Sequence, residues 1–157
     1  MSTSIACPWP IEELLPHQHP MILLDQVLRY DSGGVTAFVI IRPDHPFAAA
    51  EGVPAHVGIE LMAQACGAFV GAHARAEGMA PRIGLLLGTR DYRAHAGWFR
   101  MGDRLEITAE VLFRDTEMGV FACRVSRGSD TLAEAQLTVC EPADEAALSA
   151  VLKGEHV

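Results

Sequence analysis

Positive charge is scarce in this chain of 157 residues: twelve Lys and Arg stand against twenty Asp and Glu, a formal net charge of −8. Phosphate contacts need clustered cationic side chains, so nucleic acid is not an expected partner. Adsorption to an anionic membrane is disfavoured on the same ground. Long apolar runs are missing as well. None reaches the ~18 residues of a membrane-spanning helix. The first residues, MSTSIACPWPIEELL, lack the basic stretch and apolar run of a secretory signal. The cysteines, Cys7, Cys66, Cys123 and Cys140, form no C-x-x-C pair and no His–Cys cluster at zinc spacing. Free thiols in a reducing cytoplasm are therefore expected. There is no Gly-rich phosphate loop, no H-E-x-x-H and no G-x-S-x-G, so neither a metal nor a cofactor is expected. Charged residues make up only 20% of the chain and hydrophobic ones 50%, which excludes a disordered polymer. What is left is a soluble cytoplasmic protein of ordinary domain size. We read one domain over 1–157, with its core at about 11–141 and a C-terminal tail at 142–157.

Prolines and turn residues then punctuate the chain. Residues 11–15 (IEELL) have room for about one helical turn before Pro16. Strands are expected over 21–31 and 35–42, joined by the Asp-Ser-Gly-Gly turn at 31–34. Three prolines and a glycine make 43–55 a loop. A helix is expected over 57–77, crowded with Gly and Ala. Glu60 is its only Asp, Glu, Lys or Arg between Val57 and Ala74. A helix apolar all round is a buried one. Four more strands are expected at 83–94, 104–115, 119–127 and 131–141. In the second of these, Leu105, Ile107, Ala109, Val111 and Phe113 alternate with polar residues and share one face. The tail at 143–152 reads as a weak surface helix. This order points to an α+β fold in which a curved antiparallel sheet of about six strands wraps one long central helix. Such a sheet leaves an edge strand open, which predicts a dimer.

Two segments carry a resemblance to a known family. Residues 15–25, LPHQHPMILLD, resemble the LPHRYPFLLVD segment of FabZ-type β-hydroxyacyl-acyl-carrier-protein dehydratases. Residues 52–64, GVPAHVGIELMAQ, resemble their PVMPGVLIIEAMAQ segment. With the strand pattern the resemblance spans roughly 11–141 and implies the hotdog fold. It looks closest to the ApeP branch associated with aryl polyene clusters, on GVPAHVGIELMAQ together with LLLGTRDY at 85–92 and VFACRV at 120–125. The implied activity is removal of water from a 3-hydroxyacyl chain on acyl carrier protein to give the trans-2-enoyl thioester. In such enzymes a histidine of one subunit takes the α-proton, and a carboxylic acid on the central helix of the other protonates the departing hydroxyl. A backbone N–H at the helix start holds the thioester carbonyl.

Glu60 falls on the family's helix carboxylate. A lone carboxyl on an apolar helix loses hydration, which keeps part of it protonated as a general acid requires; a simple helix-capping charge is the alternative. The base is open between His45 and His17. The family's GHFP histidine lies fourteen residues before the carboxylate, where this chain has Pro46, and His45 lies fifteen before. His17 matches a family position in a segment that does not usually supply the base. Gln64, one turn after Glu60, is placed to fix its rotamer. Gln64, His56, Val57 and Phe47 form the expected substrate-binding set. Trp98 and Phe99 either wall a tunnel or fill the core. Arginines 75, 82, 90, 93, 100 and 104 offer a docking patch for the acidic carrier protein. The partner subunit is either a second copy or a different hotdog dehydratase. Two other readings remain at this point: a hotdog thioesterase in which ionised Glu60 activates water, and a non-catalytic dehydratase-like subunit of a heterodimer.

Overall fold

A computed structural model describes residues 4–81 and 84–141. The helix expected at 143–152 lies outside these. The chain runs β1 (Ile5–Ala6), a 3-10 turn (Ile11–Glu13), β2 (Gln26–Asp31), β3 (Gly34–Ile40) and β4 (Gly52–Pro54). A second 3-10 turn (Ala55–Val57) leads into α1 (Gly58–Ala76). Then follow β5 (Leu85–Ala94), β6 (Trp98–Arg100), β7 (Arg104–Arg114), β8 (Met118–Arg127) and β9 (Asp130–Cys140). Seven strands make one antiparallel sheet in the order β1-β2-β3-β7-β8-β9-β5, and β4 pairs with β6. All six expected strands are in the large sheet. The seventh, β1, is a two-residue addition at its edge.

Helix α1 packs against the sheet through Leu61, Met62, Ala65, Cys66, Ala68 and Phe69, all essentially inaccessible to water. Its other side is covered by the chain's own N-terminal segment. Leu14 and Leu15 are buried, and a Cβ at Gly71 would overlap the backbone of Leu14. This double cover is why α1 carries no polar face: there is almost no solvent for one to meet.

Three local readings change. The strand expected from Met21 starts at Gln26, because Leu23 gives its backbone N–H to the Gln64 side chain (2.9 Å) rather than to a neighbouring strand. The loop at 43–55 contains β4, pinned by Gly52 opposite Arg100 and Val53 opposite Phe99. Gly52 has φ +138°, and a Cβ there would overlap Phe99 O, so only glycine serves. The alternation of β7 holds through Leu105, Ile107 and Ala109, then breaks. A bulge between Val111 and Phe113 shifts the register, and Leu112 and Phe113 are both exposed. Phe99 is fully buried and fills the core.

Candidate active site

Glu60 sits half-buried in the first turn of α1. One turn on, Gln64 is 1% exposed and its amide is fully engaged. Its Oε1 accepts from Leu23 N (2.9 Å), and its Nε2 donates to Met21 O (2.7 Å) and to Glu60 Oε1 (3.2 Å). The acceptor bond from Leu23 fixes which end of the amide is which, so Gln64 faces Glu60 as a donor. Glu60 Oε1 is thereby an acceptor, and a proton on this carboxyl belongs on Oε2. The N-terminal segment thus holds the Glu60 rotamer through one glutamine.

His45 lies in a tight turn, with His45 N bonded to Arg42 O and Ala48 N to His45 O. Phe47 N donates to His45 Nδ1 (3.1 Å), so the neutral ring carries its proton on Nε2. That nitrogen is enclosed and has no partner among the described residues. His45 lines a cleft of about 260 Å³ together with Leu23, Asp25 and Arg42, the last two joined by an ion pair at 2.9 Å. Burial pushes the His45 pKa below its usual value, partly opposed by the negative charges of Asp44 and Asp25. A base acting through Nε2 needs the proton on Nδ1 instead, which breaks the bond from Phe47.

The remaining candidates fall apart spatially. His17 is half-buried with Nδ1 enclosed and without a partner among the described residues. His56 is exposed in the 3-10 turn, outside the α-helical register that would align it with Glu60. Val57 is buried, and Phe47 is exposed with its ring 6.0 Å from His45. No hydrogen bond joins His17, His45 or His56 to Glu60 within the described part of one chain. The described arginines have different neighbours. Arg75 bonds Glu13 O and Arg104 covers the Phe38 ring. Arg90 and Arg93 line an 870 Å³ cleft on the sheet's outer face, beside Glu110 and Glu134. Arg82 lies outside the described residues. All four cysteines are free thiols, three of them buried. Among the described residues no cluster of His, Cys, Asp and Glu suits a metal. No described helix is long and apolar enough to cross a membrane.

Sequence reasoning missed Tyr92. It is half-buried, its hydroxyl donates to Ala55 O, and it lies over Gly58 at the start of α1. Nothing in the strand pattern of 83–94 signals which way this ring points.

One helix packed against a large antiparallel sheet defines the hotdog fold, and Glu60 is the carboxylate in the first turn of that helix. The comparisons carry this further. A family model described as ApeP-like, ApeP dehydratase, matches residues 9–150. The chain belongs to this ApeP-like dehydratase family. The 3-hydroxyacyl-[acyl-carrier-protein] dehydratase FabZ of Chlamydia trachomatis is 30% identical over 135 residues, covering 82% of this chain and 87% of that protein. Among solved structures, the dehydratase heterocomplex ApeI:P from Xenorhabdus doucetiae matches with a TM-score of 0.86 at 30% identity. That match covers 92% of this chain and 97% of the other. A hypothetical thioesterase from Streptococcus pneumoniae, solved with coenzyme A, matches with a TM-score of 0.58 at 13% identity, over 74% and 84% of the two chains. The likeness to the thioesterase is one of fold alone.

Proposed function

We propose that this chain dehydrates 3-hydroxyacyl thioesters carried on acyl carrier protein, as one subunit of a hotdog pair. A histidine base takes the α-proton, and the electrons of that C–H bond become the new C=C. The Cβ–O bond breaks, and Glu60 gives its Oε2 proton to the departing hydroxyl, which leaves as water. The observation that carries this reading is the Gln64–Glu60 bond. It leaves one carboxyl oxygen oriented away from its anchor and available to a substrate.

The base comes from across a subunit interface. Strand β5 is a ten-residue edge with Leu86 and Leu87 exposed, and a second hotdog subunit continuing the sheet there covers both. Two observations favour a different dehydratase chain over a second copy. His45 is held in the tautomer that cannot accept a proton at Nε2. The similar ApeI:P structure is itself a heterocomplex. Free buried thiols accord with a cytoplasmic setting.

Mass spectrometry of 3-hydroxyacyl carrier protein tests this, using the chain alone and co-expressed with a hotdog dehydratase partner. Loss of one water by the pair only, reduced ~10²–10⁴-fold in Glu60→Gln, is the expected result. Loss of water by the chain alone, abolished in His45→Ala, overturns the heterodimeric form in favour of a homodimer. Undiminished turnover in Glu60→Gln overturns the acid assignment.

A further inference from the structure

Strand β5 does not run regularly past the start of α1. Arg90 is opposite Gln136 and Arg93 is opposite Glu134, so Asp91 and Tyr92 together face the single residue Ala135 of β9. This is a β-bulge, and Asp91 has φ +54°, a left-handed conformation that a non-glycine residue seldom adopts. The consequence is a change of side. In a regular strand Arg90 and Tyr92 share a face. Here Arg90, Asp91 and Arg93 all line the cleft on the outer face of the sheet, while Tyr92 reaches the helix.

Its destination is specific. The Tyr92 hydroxyl donates to Ala55 O, which also accepts the N–H of Gly58. Ala55 N in turn donates to Gly97 O (3.0 Å), so the peptide leading into α1 is clamped from both β5 and the β5–β6 connection. Gly58 is the residue beneath the ring. A Cβ there would overlap the Tyr92 hydroxyl, and would stand 3.1 Å from Phe99 Cζ and 3.3 Å from Tyr92 Cζ. Glu60 follows two residues later.

We propose that Tyr92 is a positioning residue, aimed by the Asp91 bulge, that fixes the first turn of α1 and thereby Glu60 relative to the β5 edge. The proposal rests on the dehydratase reading for its kinetic consequence but not for its structural one. Because the clamp is built from the edge strand, the aim of the acid is tied to the geometry of the surface that a second subunit covers. Distortion of β5 is transmitted to the carboxyl through one hydroxyl group.

Tyr92→Phe removes that hydroxyl and leaves the ring. In the active pair we expect kcat to fall about tenfold with KM within twofold. Gly58→Ala should lower kcat by more than tenfold in the parent. In the Tyr92→Phe background it should cost only about twofold, since the worst overlap goes with the hydroxyl and the next neighbours are beyond 3 Å. Amide hydrogen exchange supplies a readout independent of turnover: the Ala55 and Gly58 amides should exchange about tenfold faster in Tyr92→Phe, with the unfolding midpoint nearly unchanged. Equal costs of Gly58→Ala in the two backgrounds, or unchanged exchange, would overturn the clamp. An inactive parent pair with the exchange effect present would instead sink the dehydratase reading and leave the clamp standing.

Discussion

The two halves of α1 differ in what their contacts do: those of the C-terminal half seat the helix, and those of the N-terminal half also orient Glu60. At the C-terminal half the core contacts are steric, and the hydrogen bonds there, His73 Nε2 to Asp31 O and Arg75 Nε to Glu13 O, tie the helix end to backbone carbonyls far from Glu60. Gly71 lies flat against the Leu14 backbone, and Phe69 meets Phe121 edge-on at 5.6 Å and His73 at 4.6 Å. The Arg114 guanidinium, paired with the buried Glu141, covers the Phe69 ring at 5.2 Å. At the N-terminal half the contacts that matter are directional: Gln64 to Leu23, Met21 and Glu60, and Tyr92 to Ala55. Close packing fixes where a helix lies, since a core resists changes of even a methylene. It says little about how one carboxyl group is turned. Hydrogen bonds decide that, because their geometry is narrow. The fold therefore separates the task of seating the helix from the task of aiming the acid.

Gly71→Ala strikes the steric half and should have the largest effect on stability. Its new Cβ would overlap Leu14 O and stand 2.8 Å from Leu14 C and 2.9 Å from Leu14 Cα, backbone atoms that cannot rotate away. Alanine gains ~1 kcal/mol of helix propensity over glycine, but the overlap costs more. We expect a net loss of about 2 kcal/mol, read as a lower urea midpoint, with turnover per folded molecule within twofold of the parent. A loss of turnover without loss of stability would break the distinction between the two halves.

Gln64→Leu strikes the directional half. It leaves the buried Leu23 N–H without an acceptor, which costs about 1 to 2 kcal/mol, and it frees Glu60. Turnover per folded molecule should fall about tenfold, whereas Gly71→Ala leaves it within twofold. Gln64→Glu sharpens the contrast. It still accepts from Leu23 N–H but, as a carboxylate, has no N–H to donate to Glu60 Oε1, so activity should drop further than stability does.

What was legible in the residues follows the same division. Period-two alternation in 105–109 and the apolar, Gly- and Ala-rich run at 57–77 located sheet and helix, because burial on one or both faces leaves a mark at every position. The Glu60–Gln64 pair was legible because a spacing of four within a helix is local geometry. Features made by long-range pairing were not. Strand β4 hides in a proline-rich segment and exists because β6 meets it. The bulge at Asp91 depends on the register against β9, and nothing in RDYR announces it. The tautomer of His45 is set by a backbone N–H two residues away, whose direction only the folded turn decides.

The smallest effect concerns His45 and tests the donor reading of its ring. Burial lowers its pKa from the usual 6.5, so the folded protein prefers the neutral form and the unfolded chain binds a proton first. Stability from this group is therefore intact above about pH 6.5 and is lost as the pH falls below that value, through the lowered folded-state pKa. Asp25 and Asp44 oppose the shift, which keeps the effect modest. His45→Gln should flatten the dependence of the urea midpoint on pH between about 7.5 and 5, most visibly below 6.5, while leaving the midpoint at 7.5 almost unchanged. Glutamine also offers an oxygen to Phe47 N–H and an amide donor toward the cleft, as the neutral ring does. If His45 serves as a donor rather than a base, His45→Gln should therefore keep most of the turnover that His45→Ala loses. Equal loss in the two variants would show that the ring's capacity to change protonation state, rather than its hydrogen-bonding outline, is what the chemistry uses.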